Sequence, residues 1–275
     1  MGLKIAIQGI RGSNHHQVAR EYFGEDISLV ECFTFHELVD KLLQQEADKG
    51  VMAIENSIAG SIIPNYALVY RNNLHIIGEH YLNIHHNLMG LKGQTIEDIR
   101  EVRSHPMALL QCREYLKTQP HMKMVEDFDT AETARQIQEN NWPGIAAIAP
   151  AVAADLYDLE ILASDIQTIK NNATRFIVIK TKNKALPEEE INKASIRFIT
   201  DHKRGSLATV LNVMSDCNLN LTKIQSLPII ETPWKYAFFV DVTFEKFEHF
   251  AKAKSLLDIM SEDFKVLGEY KNAML

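Results

Sequence analysis

Between residue 3 and about residue 181, short runs rich in aliphatic and β-branched residues alternate with stretches whose apolar side chains recur at helical spacing. This alternation constrains the chain more than any other feature, because consecutive parallel strands need helical crossovers, which cover both faces of a mostly parallel sheet. Strands are expected at Leu3–Ile7, Ile27–Phe33, Val51–Ile54, Leu74–Ile84, Glu101–Ser104, Lys123–Glu126, Ile145–Ile148 and Phe176–Ile179. Helices are expected at Asn14–Phe23, after Thr34 with an apolar stripe of Leu38, Leu42 and Leu43, at Met107–Leu116 and at Thr130–Gln138. The strand-rich stretch 74–92 breaks the rhythm and reads as a crossover between two α/β lobes.

Residues 182–193, charged and containing Pro187, read as a linker between domains. Beyond them the pattern resets to strand Ser195–Thr200, helix Ser206–Cys217, strands Leu219–Leu227 and Tyr236–Phe244, helix Phe247–Met260 and strand Phe264–Tyr270. That βαββαβ order over 194–275 describes a ferredoxin-like sandwich.

A formal net charge of −7 argues against a nucleic-acid partner, which requires clustered Lys and Arg to meet phosphates. The N-terminus runs directly into a strand without the pattern of a signal peptide, and no window reaches the roughly 20 apolar residues of a membrane span. Cys32, Cys112 and Cys217 are far apart and odd in number, which fits buried, reduced thiols in a cytoplasmic protein.

Candidate chemistry lies in loops that follow strands, where open α/β sheets bind ligands and helix N-termini favour anions. Gly12 and Ser13 follow the first strand. Glu55, Asn56 and Ser57, with Gly60 and Ser61, follow the third, and Ser104-His105-Pro106 leads into a helix carrying Gln111. Each loop alone reads equally as helix capping or a plain turn. The first has neither nucleotide-loop spacing, and the eleven histidines form no zinc pattern, so neither nucleotide nor metal is expected.

Taken in order, these loops with Gly78-Glu79 and above all Thr174-Arg175-Phe176 resemble the prephenate dehydratase family. The resemblance continues through Gly205-Ser206-Leu207-Ala208, Asn220-Leu221-Thr222-Lys223-Ile224, Trp234 and Phe238-Phe239-Val240-Asp241. It implies a two-lobed catalytic domain of the periplasmic-binding-protein type over 1–181, with lobes near 1–75 plus 163–181 and 76–162, followed by an ACT domain. It implies decarboxylative dehydration of prephenate to phenylpyruvate without a cofactor. Thr174 would assist the departing hydroxyl, Arg175 orient the site or offset charge, and Phe176 pack at the lobe interface. Asn56, Ser104 and Gln111 would donate to the substrate beside Gly12, Ser13, Ser57, Gly60, Ser61 and His105. Glu55, repelled by a dianion, would be bonded aside or protonated.

For the ACT domain the resemblance implies phenylalanine as an inhibitor held by Gly205, Ser206, Leu207, Asn218, Leu219, Asn220, Leu221, Gln225 and Ser226, and a homodimer or homotetramer. Two departures stand out: Asn14-His15 where the family has an aromatic and a small polar residue, and Gln225-Ser226-Leu227-Pro228 where it has Glu-Ser-Arg-Pro. Arogenate dehydratase and a non-catalytic binder of small anions are the alternative readings.

Overall fold

The computed structural model describes residues 2–182, 186–201 and 203–274. Asn183, Lys184 and Ala185 of the expected linker lie outside these residues. In chain order the elements are β1 (Leu3–Gln8), α1 (Asn14–Phe23), β2 (Ile27–Cys32), α2 (Phe35–Leu43), β3 (Lys49–Asn56), β4 (Gly60–Ser61), α3 (Ile63–Arg71), β5 (His75–Asn83) and β6 (Asn87–Gly90). There follow β7 (Glu101–Ser104), α4 (Pro106–Gln111), α5 (Arg113–Lys117), β8 (Lys123–Glu126), α6 (Thr130–Asn140), β9 (Ile145–Ala149), α7 (Ala151–Leu156), β10 (Glu160–Ala163) and β11 (Ala173–Lys180). The chain ends with β12 (Lys193–Ile199), α8 (Ser206–Asp216), β13 (Asn220–Pro228), β14 (Tyr236–Thr243), α9 (Phe247–Met260) and β15 (Glu262–Tyr270).

By contacts the chain forms two compact units, Met1–Gly60 with Leu82–Phe176, and Ser61–Tyr81 with Ile177–Leu275. In the first unit β1 pairs in parallel with both β2 and β3. Ile5, Ala6 and Ile7 are all fully buried, so both faces of β1 are covered, as a central parallel strand requires. Ser13 caps α1 and Thr34 caps α2, each accepting from the backbone N–H three residues on. Leu38 and Leu42 point into the core, but Leu43, expected in the same stripe, is exposed.

A second sheet in this unit runs β10-β6-β9-β7-β8. Here β7 is parallel to β8 and β9, whereas β6 is antiparallel to β9 and β10. The single helix expected at Met107–Leu116 is two, α4 and α5, meeting at Cys112. All three cysteines are buried, and burial pushes the Cys32 and Cys112 thiols up to about 12, so neither supplies thiolate near neutral pH.

The second unit contains the antiparallel order β13-β14-β12-β15 with β5 beside β15. Every residue of β12 is buried. Ile196 and Phe198 enter a core with Val210, Met214, Phe250 and Leu257 from α8 and α9. On the other face Arg197 stacks over Tyr70 of α3, 3.8 Å from its ring centre, and Tyr66 meets Phe239. At Gly268 the β15 backbone comes so close to β5 that an added Cβ would stand 2.2 Å from the Ile76 carbonyl oxygen. A side chain there would separate the two strands.

Candidate active site

The ends of β3 and β11 are clamped together: Ser57 N–H donates to the Ala173 carbonyl (2.8 Å), and Ala173 N–H donates to Ser57 Oγ (3.0 Å). This joins Asn56 to Thr174. Asn56 Oδ1 accepts from the backbone N–H groups of Ile58 (3.0 Å) and Ala59 (2.8 Å), which can only donate. Its Nδ2 is therefore the donor to Thr174 Oγ1 (2.9 Å) and to Asn172 Oδ1 (2.7 Å). Asn172 Nδ2 donates to Gln111 Oε1 (3.0 Å), and so His86 Nε2, 2.8 Å from that oxygen, must carry a hydrogen.

Side chains from both sheets of the first unit thus form one polar chain, His86–Gln111–Asn172–Asn56–Thr174. Its direction leaves two donors uncommitted among the described residues, the Thr174 hydroxyl hydrogen and the Gln111 Nε2 amide. Thr174, Asn172 and His86 are buried, with Asn172 at 0% exposure. Burial lowers the His86 pKa, opposed by the bond to Gln111, which fits a neutral ring.

Thr174 and Phe176 leave β11 on one face and Arg175, also buried, on the other. Arg175 therefore backs the strand and does not stand beside Thr174. Phe176 packs edge-on against His15 of α1, with ring centres 4.9 Å apart. His15 is buried, accepts Ala53 N–H at Nε2 (3.3 Å), and has its pKa pushed down to about 3. Folded His15 resists a proton that the unfolded chain accepts below about pH 6.5, so this contribution is complete above 6.5 and declines as pH falls. At pH 5 it should cost the fold about 2 kcal/mol. Urea titrations at pH 7.5 and 5 should show this loss, and His15→Phe should reduce it; an equal loss in the variant would place the acid sensitivity elsewhere.

Several of the expected substrate contacts already have partners within the chain. Ser104 is fully buried and its hydroxyl donates to the Ile148 carbonyl (2.6 Å), so it has no hydrogen for a ligand. The cap of α4 is His105, whose Nδ1 accepts Met107 N–H. Gly12 N–H donates to His16 Nδ1 (2.9 Å), and Ser13 Oγ accepts His16 N–H, turning the first loop inward. Gly12 has φ +88°, and an added Cβ would meet Tyr157 and Ala153 at 3.2–3.3 Å, so glycine here permits close packing of loop on helix. Gly60 adopts φ +82° in an open turn, and Ser61 belongs to the second unit, where its hydroxyl accepts from Lys223 (2.8 Å). Glu55 precedes Asn56 near the end of β3 and is half-buried.

Asn172, His86 and Asp129 are polar groups that the sequence reading left out of the site. Asn172 stands two residues before Thr174, and His86 is one of the eleven histidines, beside His85. Asp129 caps α6 through Oδ1, its other oxygen lies against Gly9, and burial raises its pKa against the pull of two backbone N–H groups.

The expected effector residues do not form one cluster within the chain. Gly205 opens α8 with φ +82°, whereas Asn218, φ +57°, follows its far end. At about 1.5 Å per helical residue, the 11 residues of α8 separate them by roughly 17 Å. Leu219 is buried and Leu221 half-buried. Ser206 and Leu207 form the first turn of α8, Asn220 begins β13, and Gln225 and Ser226 lie farther along that strand.

Two α/β sheets whose loops share a neutral, hydrogen-bond-donating cluster suit the binding of an oxygen-rich small molecule. The prephenate dehydratase family profile matches residues 5–184. The chain belongs to that family, lyases that dehydrate and decarboxylate prephenate. It is 34% identical to arogenate dehydratase/prephenate dehydratase 2 of Arabidopsis thaliana, over 98% of this chain and 72% of that one. It superposes with a TM-score of 0.89 on a prephenate dehydratase from Arthrobacter aurescens solved with L-Phe, at 25% identity and covering 99% of this chain and 91% of that one. It is also similar to GqqA, described as a quorum-quenching acylase, with a TM-score of 0.88, 28% identity and coverage of 98% and 99%.

Proposed function

We propose that this chain converts prephenate to phenylpyruvate, carbon dioxide and water, with Thr174 as the group that assists the leaving hydroxyl. The carrying observation is the polarity of the Asn56–Thr174 bond: Asn56 donates to Oγ1, so the Thr174 hydrogen is available to the substrate. As the bond from the ring to its carboxylate breaks, its electron pair moves through the ring and expels the opposite C–O bond. A proton then completes water. Aromatisation supplies the driving force, and the protein supplies orientation and a donor aimed where negative charge develops.

A threonine hydroxyl is a weak acid, and the amide that donates to its oxygen stabilises charge building there. Gln111 Nε2 supplies a neutral donor to the substrate's acceptor groups, while Arg175 acts from behind β11. Residues 1–181 would carry the chemistry and 194–275 an ACT-type regulatory domain in a cytoplasmic homo-oligomer. The βαββαβ order and a relative solved with L-Phe support phenylalanine as effector. Because Gly205 and Asn218 stand apart, an effector touching both would need more than one copy of the domain.

The likeness to GqqA brings no second reading. Acyl transfer by Thr174 would need a base on its hydroxyl, and the hydrogen-bond partner found there, Asn56 Nδ2, is itself a donor.

Purified protein should form phenylpyruvate from prephenate without added cofactor, and phenylalanine should slow it. Tight prephenate binding without product over hours would replace the dehydratase reading with that of a binding protein. Unchanged turnover with phenylalanine would remove the regulatory part alone.

A further inference from the structure

His86 stands outside the residues that can touch substrate through their own donors, yet it ends the chain that orients them. It sits between β5 and β6, buried to 4% exposure. Its backbone N–H donates to Gln167 Oε1 (2.9 Å), which holds the residue from behind. Its Nε2 faces Gln111 Oε1 at 2.8 Å, and its Nδ1 is buried without a hydrogen-bond partner among the described residues.

A primary amide such as Gln111 can turn by 180° about its last torsion at little cost unless its neighbours distinguish oxygen from nitrogen. Here two donors do so, Asn172 Nδ2 and His86 Nε2–H, and both meet the carbonyl oxygen. Without the His86 donor a single bond from Asn172 would hold the amide, and Asn172 is itself fixed only through Asn56.

We propose that His86 is a positioning residue that locks Gln111 with its carbonyl inward and its NH2 toward substrate, so that the site favours a 2-keto acid over the corresponding 2-amino acid. The proposal rests on the dehydratase reading and deepens it. Prephenate and arogenate differ only in the side chain, where a keto oxygen accepts hydrogen bonds and an ammonium donates them. An amide presenting N–H groups pairs with the first and repels the second. An amide held by Asn172 alone turns its carbonyl oxygen outward part of the time, which weakens the first and accepts the second.

The test uses the full chain with prephenate and arogenate as substrates. His86→Leu should lower kcat/KM for prephenate by up to about 100-fold, the scale of a misplaced catalytic contact, while arogenate loses much less, so the arogenate-to-prephenate ratio rises at least about tenfold. His86→Gln, which can return an N–H to the Nε2 position, should recover most of the loss. Because His86 acts through Gln111, the double variant His86→Leu/Gln111→Ala should be no worse than Gln111→Ala alone. Losses that multiply, or a ratio unmoved in His86→Leu, would overturn the proposal. Nitrogen NMR of the unliganded protein reads the same geometry without turnover: a neutral ring protonated at Nε2 supports it, and one protonated at Nδ1 sinks it. Wild-type protein that turns over neither substrate would defeat the dehydratase reading, whereas the tautomer would still decide whether His86 holds Gln111.

Discussion

Thr174→Val is expected to lower kcat on prephenate by about 10²–10⁴-fold, the usual range for removing a proton-donating group from a transition state. Valine nearly matches threonine in shape, and Thr174 is only 8% exposed, so the strand should keep its place. Asn56 Nδ2 loses one acceptor but retains Asn172 Oδ1 and lies 3.4 Å from the Ala173 carbonyl. The stability cost should therefore stay near 1 kcal/mol, that of one ordinary hydrogen bond. Thr174→Ser keeps the hydroxyl and should retain far more activity. Steady-state kinetics on the three proteins, with thermal melts as control, decide the matter; a valine variant with wild-type turnover would remove Thr174 from the mechanism.

Lys193→Met should destabilise the protein by about 3–5 kcal/mol, the scale found when one partner of a buried ion pair is removed. Lys193 Nζ lies 2.9 Å from both oxygens of Glu79, and the side chains are 3% and 0% exposed. Tyr81 accepts from the same ammonium, and Ala273 N–H donates to Glu79, so the pair joins β12, β5 and the C-terminal segment of the second unit. The loss arises because Glu79, a buried carboxylate, would lose the ammonium that lies 2.9 Å from both of its oxygens. Adding Glu79→Gln should restore part of the stability, since it removes the buried charge that Lys193 offset. Urea unfolding of both variants reads this directly, and a single variant within 1 kcal/mol of wild type would contradict the burial argument.

The alternation of strands and helices was readable because hydrophobic period is a local property. β7 and β8 appear at their expected ends, and the βαββαβ order of the last 80 or so residues is as the pattern implied. Local pattern is equally blind in defined places. The helix across Met107–Leu116 breaks at Cys112 although its composition allows continuation. No periodicity signals that Ser61–Tyr81 packs with the residues after Ile177, because α3 and β5 look like any helix and strand of an α/β lobe.

The site was legible in its types and only partly in its members. Asn56, Gln111 and Thr174 lie far apart in the chain, and it was an ordered resemblance that joined them. Ser104 and Ser13 are equally good donors on paper. The Ser104 hydroxyl differs from that of Thr174 because a carbonyl faces it and takes its hydrogen, whereas Ser13 is occupied as the cap of α1. Asn172 and His86 carried no signal, since an Asn in a turn and a His beside another His are common anywhere.

By itself, then, the sequence determined the alternation of strands and helices, the small second sandwich, the buried thiols and the family to which the chain belongs, all of which follow from local period, composition and ordered motifs. Tertiary structure alone decided which hydroxyls keep a free hydrogen, which way each amide points, and which lysine loses its water. Those properties depend on the identity of the atom across a 3 Å gap, and, apart from the turn that orients Asn56, that atom comes from a distant part of the chain.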